Sequence, residues 1–141
     1  MATTRNGSAT YEGLGKDGKG TVSTGSGVLD KQPYGFNTRF EDEPGTNPEE
    51  LIAAAHASCF TMALSFALAK EGFETGSLAT DAAVTLEKDG DGFKVTRSDL
   101  TLTGSVPDIE RAKFEELARD AKANCPISKL LNADITLDIT E

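Results

Sequence analysis

This sequence predicts an α+β fold in which antiparallel sheets wrap around one long buried helix, and three observations lead there. Leu51 to Ala69 runs 19 residues without a formal charge, directly behind a strong helix start. Short alternating segments separated by turn residues lie on both sides of it. The order of elements, strands, long helix, two strands, helix, short helix and a closing strand, is that of an α+β domain. At 141 residues the chain is the size of one ordinary domain, so 1–141 is expected to form a single domain around a single core.

Ahead of the long helix, Ala9 to Gly13, Gly20 to Ser23 and Val28 to Leu29 read as short strands, with glycines at 13, 15, 18, 20, 25 and 27 supplying hairpin turns. Asn47-Pro48-Glu49-Glu50 then combines an N-cap, a proline at the first helical position, acids in the first turn and the spacing of a capping box with Asn in the cap position. The helix is expected from Pro48 to about Glu71, ending at Gly72, which accepts the left-handed C-terminal conformation. Its uncharged stretch approaches the length that crosses a bilayer. Seven alanines together with His56, Ser58, Thr61 and Ser65 make it only weakly apolar, so burial by protein on all sides, by sheets or by a second subunit, is the expectation.

Thr80 to Lys88 alternates, Asp89-Gly90-Asp91-Gly92 supplies turn chemistry, and Phe93 to Thr103 resumes the alternation, which predicts a second hairpin. Pro107-Asp108 opens an amphipathic helix with Ile109, Phe114, Leu117, Ala118 and Ala121 on one face. Asn124-Cys125-Pro126 breaks it, Ile127 to Asn132 adds one or two helical turns, and Ile135 to Ile139 closes as a half-exposed strand.

Composition narrows the function. Hydrophobic residues at 38% and charged residues at 26% exclude a disordered chain and a membrane protein. Fourteen basic against 23 acidic residues leave a net charge of −9, which repels nucleic acid and anionic lipid. Met1 to Thr10 lacks the apolar segment of a secretory signal, so a cytoplasmic protein is expected, and cysteines in that reducing compartment point to reactivity.

There are two cysteines. Cys59 sits in the middle of the long helix with little backbone freedom, while Cys125 sits on a break before proline where it can swing. That suits a fixed attacking thiol and a mobile resolving thiol, although by spacing alone two inert core cysteines are the plainer reading. Cys59 lies twelve residues past the cap, beyond the reach of the helix dipole, so a cation from another segment must stabilise its thiolate. Arg39, Lys16 and Lys19 are the candidates, beside His56 three residues earlier on the same face. His56 is open to two readings, a general base for Cys59 in a Cys-His acyltransferase or hydrolase, or a satisfied polar core residue. Cys59, Cys125 and His56 could be three metal ligands, but no spacing such as C-x-x-C or H-x-x-x-H is present, so no metal is expected.

Three segments carry a resemblance: Ser23-Thr24-Gly25-Ser26-Gly27-Val28-Leu29, Gln32-Pro33-Tyr34-Gly35-Phe36-Asn37-Thr38-Arg39-Phe40-Glu41, and Gly45 through Asn47-Pro48-Glu49-Glu50 to His56-Ala57-Ser58-Cys59-Phe60. With Asn124-Cys125-Pro126-Ile127-Ser128 and the closing strand Ala133 to Leu137, they resemble the osmotically inducible protein C (OsmC) family of bacterial thiol peroxidases, over nearly the whole chain. The resemblance implies an intertwined cytosolic homodimer that reduces organic hydroperoxides, and hydrogen peroxide more weakly, with a thiolate and no metal or haem. By position it makes Cys59 the peroxidatic cysteine, Cys125 the resolving one, Glu49 the motif acid and Arg39 the guanidinium. In the sister branch of organic hydroperoxide resistance proteins the arginine comes from the early glycine-rich loop, where this chain has Lys16 and Lys19. Glu50, where that branch usually has Gln, places the chain in the osmotically inducible branch.

Glu49 and Cys59 are ten residues apart on one helix, about 15 Å along its axis at 1.5 Å per residue. A Glu49 that serves Cys59 must therefore come from a second copy, so the expected partners are a homodimer with shared active sites, an organic hydroperoxide and a dithiol reductant. In that scheme Glu49 holds Arg39 by a bidentate pair, and a Cys59 sulfenic acid condenses with Cys125 to a disulfide. Phe36, Phe40, Phe60, Met62 and Ile127 are available as an apolar entrance, and each serves equally as core. The competing readings are the Cys-His enzyme and a noncatalytic dimeric binding module.

Overall fold

Strand β1 (Gly7–Glu12), β2 (Lys19–Thr24) and β3 (Gln32–Tyr34) pair in that order as an antiparallel sheet. Gly20 stands opposite Tyr11 on one side and Tyr34 on the other. A Cβ there would lie 2.5 Å from the Tyr34 ring and 2.9 Å from the Tyr11 ring, so only glycine lets the two rings meet at 6.0 Å between centroids. Val28 and Leu29 are not a strand. They belong to a loop closed by the Thr24 N–H donating to the Leu29 carbonyl and the Leu29 N–H donating to Thr24 Oγ1, and the third strand starts at Gln32 instead.

A short helix α1 (Phe36–Phe40) leads to α2 (Pro48–Lys70). Asn47 Oδ1 accepts the Glu50 N–H at 2.8 Å, the N-cap bond expected, while Asn47 Nδ2 donates to the Thr38 carbonyl and ties α1 to the helix start. The capping box does not close, because Glu50 accepts from the Thr46 hydroxyl at 2.8 Å. Gly72, at φ 96°, ends the helix as expected. This computed structural model describes residues 2–140, and the chain forms two units whose division falls inside α2, one up to Leu51 and one from Ile52 on.

In the second unit β4 (Ser77–Asp89) and β5 (Gly92–Ser105) form the expected long hairpin, with Gly90 at φ 60° in its turn. After β5 come α3 (Arg111–Asn124), α4 (Pro126–Leu130) and β6 (Asp134–Thr140). Asp108 takes φ 69° in a turn, so α3 begins at Arg111 and not at Pro107. The sheet is not wholly antiparallel: β6 pairs with β5 in parallel, because the intervening helices carry the chain back before it re-enters the sheet.

The buried residues of α2 are His56, Phe60, Leu64 and Leu68, one row at four-residue spacing. The last three join Leu100, Leu102, Phe114, Leu117, Ala118 and Cys125 in the core. Within one chain α2 is therefore not enclosed on all sides: Met62 and Phe66 are 63% and 70% exposed on another face. By length and composition α2 is sufficient to cross a membrane, but its buried row packs into protein.

Candidate active site

In the first unit Arg39 projects from α1 and Glu49 from the first turn of α2, and the Asn47–Thr38 bond fixes these elements to each other. Arg39 Nε donates to Glu49 Oε1 and its terminal nitrogen to Oε2, both at 2.8 Å. This is the bidentate pair expected. With the Glu49 side chain only 12% exposed and Arg39 35%, water competes weakly and the guanidinium plane is held in one orientation.

Arg39 borders a cavity of about 350 Å³ whose other walls include Tyr11, Tyr34, Phe36, Phe40 and Lys16. The Lys16 ammonium sits 5.0 Å from the Phe36 ring centre, and Arg39 stacks on Phe40 at 5.5 Å. Two of the three candidate cations thus face one aromatic cavity, and Arg39 alone of the two is clamped by a carboxylate. Lys19 lines a different, smaller cavity with Pro33 and Asn37.

The second unit brings the cysteines together. Cys59 is half-buried in α2, Cys125 is buried at the α3–α4 junction, and both are free thiols, with Cys59 packed against the core cluster that holds Cys125. Cys125 caps α4 as a side chain: its sulfur accepts the Ser128 N–H at 3.3 Å and lies 3.1 Å from Ser128 Oγ. Burial pushes the Cys59 thiol above its ordinary value, the backbone of Ile127 pulls the other way, and Cys125 adds to the rise. All of these influences come from the unit that starts at Ile52, so Cys59 is not activated within it.

His56 does not serve Cys59. Its Nδ1 is 2.6 Å from Ser98 Oγ and its Nε2 is 2.8 Å from Ser128 Oγ, so both ring nitrogens are committed and the ring is fully buried. Burial lowers its pKa, which keeps the imidazole neutral. Sequence reasoning missed both serine partners. Ser128 had a signal, the three-residue spacing from a cap at Cys125, whereas Ser98 lies 42 residues away on β5 and had none. Of the proposed entrance residues, Phe36 and Phe40 line the aromatic cavity, Phe60 and Ile127 pack in or against the core, and Met62 stands on the exposed face of α2.

The predicted site residues form two pairs, Arg39 with Glu49 and Cys59 with Cys125, one in each unit. A family model described as OsmC-like protein matches residues 40–140. Peroxiredoxin OsmC of Escherichia coli is 54% identical over 138 residues, covering 98% of this chain and 96% of the relative. Organic hydroperoxide resistance protein OhrB of Bacillus subtilis is 36% identical over 124 residues, 85% of this chain and 88% of its own length. The crystal structure of that OhrB protein superposes with a TM-score of 0.72 at 30% identity over 96% of this chain and 98% of its own.

Proposed function

We infer from one premise, that this chain belongs to the OsmC-like protein family, that it is a thiol-dependent peroxidase reducing organic hydroperoxides to alcohols. The observation that carries this reading is that both thiols are free and Cys59 packs against the core cluster that holds Cys125, close enough for Cys125 to push up its pKa. The Cys59 thiolate attacks the terminal oxygen of R-O-O-H, the O–O bond breaks, and the departing alkoxide takes a proton to become the alcohol. Cys59 is left as a sulfenic acid, which condenses with Cys125 to a disulfide and water. A dithiol reductant reopens it.

Arg39 and Glu49 supply what the cysteine unit lacks. A permanent guanidinium stabilises the Cys59 thiolate and donates to the developing alkoxide, while the carboxylate holds its plane. Ten residues of helix between Glu49 and Cys59 favour a homodimer in which one copy brings the Arg39–Glu49 pair to the other copy's cysteines. The aromatic cavity beside Arg39 then receives the organic group of the substrate, and free thiols fit a cytoplasmic setting. The Cys-His alternative loses its base to Ser98 and Ser128.

The test is turnover of tert-butyl hydroperoxide by two variants. Cys59→Ser should abolish it, and Cys125→Ser should complete one round and then stall as sulfenic or overoxidised enzyme. Sustained turnover by either variant contradicts the reading.

A further inference from the structure

One buried titratable group has no part in the peroxidase scheme, and its hydrogen bonds end at the resolving cysteine. From Cys125 Sγ, Ser128 Oγ is 3.1 Å away, His56 Nε2 lies 2.8 Å beyond, and His56 Nδ1 reaches Ser98 Oγ at 2.6 Å. All four side chains are buried. They come from α2, β5, α4 and the α3–α4 junction; only Cys125 and Ser128 are neighbours through the cap of α4, and the fold brings His56 and Ser98 to them. Ser128 has a single hydroxyl proton. If that proton goes to His56 Nε2, its oxygen is left to accept the Cys125 S–H, and the imidazole N–H at Nδ1 goes to Ser98.

We propose that His56 is a positioning residue for the second half-reaction: acting through Ser128, it orients and receives the proton that Cys125 gives up as its sulfur attacks the Cys59 sulfenic acid. This rests on the peroxidase reading above. In that step a sulfur–sulfur bond forms, the sulfur–oxygen bond of Cys59 breaks, the Cys59 sulfur is reduced and the Cys125 sulfur is oxidised to the same level. The thiol proton moves from Cys125 Sγ to Ser128 Oγ while the Ser128 proton moves to His56 Nε2. The expelled hydroxide then takes a proton from the Ser128 hydroxyl, His56 returns its own to Ser128, and water leaves with the imidazole neutral again. The neutral imidazole has a lone pair at Nε2 to accept the proton, and burial, which disfavours the charged ring, drives that proton back once hydroxide has left. The Ser128 backbone N–H, 3.3 Å from Cys125 Sγ, stabilises the thiolate as it forms.

Single-turnover kinetics separate this from a structural role. Sulfenic acid formation is followed by dimedone trapping and disulfide formation by loss of the second thiol, after mixing reduced protein with tert-butyl hydroperoxide. His56→Gln keeps one donor and one acceptor for the two serines but does not take up a proton. It should form sulfenic acid at the wild-type rate and close the disulfide on the order of 10²-fold more slowly, the scale of positioned acid–base catalysis. Ser128→Ala, a smaller change to the core, should slow the same step, and the double variant should be no slower than the slower single variant. Disulfide closure at the wild-type rate in both variants overturns the proposal, as does equal slowing of both steps. Wild-type protein that forms no disulfide overturns the peroxidase reading itself, a result distinct from either.

Discussion

At the scale of residues, the proposed chemistry is divided between a clamped guanidinium and a pair of thiols. Arg39 presents two parallel bonds to Glu49, and a lysine ammonium reproduces the charge without the fork. Arg39→Lys should therefore lower kcat/KM for tert-butyl hydroperoxide by about 10²-fold, the lower end of the range for loss of an oriented donor to a developing oxyanion, since the charge is kept. Steady-state peroxidase assays check this, and an unchanged kcat/KM would remove the guanidinium from the reaction. Glu49→Gln should move the same parameter in the same direction by releasing the guanidinium plane. The cysteine pair and the Arg-Glu pair were legible because their members lie in motifs of recognisable composition. The setting of His56 was not: its partners are 42 and 72 residues distant, and a lone histidine on an alanine-rich helix looks alike whether it faces a cysteine or two serines.

At the scale of elements, helix α2 depends on its first turn. Asn47 satisfies the Glu50 N–H and also holds the Thr38 carbonyl, so Asn47→Ala should lower stability by about 1 kcal/mol in chemical denaturation, typical for loss of an N-cap. It should also loosen Arg39, which α1 carries. The boundaries of α2 and the presence of the β4–β5 hairpin followed from cap, glycine and alternation signals, which act locally, while both strands run up to three residues beyond the alternating stretches. Strand β3 was hidden because Gln32-Pro33-Tyr34 carries a proline that speaks against a strand interior, and Pro33 is tolerated here at the edge of the sheet. The parallel pairing of β6 left no trace in the sequence, since alternation gives the buried face of a strand and not its direction. Asp108 misled the reading of α3 by resembling a helix start while adopting a left-handed turn.

At the scale of the molecule, two features of one chain favour the proposed second copy: the exposed Met62 and Phe66 face of α2, and a Cys59 thiol pushed up by burial, with no cation among the described groups that act on it. A Met62→Glu/Phe66→Glu variant that sediments as folded monomer should lose peroxidase activity. In that monomer the Cys59 alkylation rate should rise only above the ordinary thiol range, because the raised pKa keeps the thiol protonated at lower pH. In wild-type protein, if it assembles as the proposed dimer, it should be fast near neutrality. A fully active monomer would contradict sharing of sites between copies. The central claim, that these two thiols are consumed together by one peroxide, is tested most directly by intact mass and thiol count after one equivalent of tert-butyl hydroperoxide. The account predicts loss of two hydrogens and of both thiols, with no oxygen retained; an unchanged mass, or an added oxygen with Cys125 still free, would contradict it.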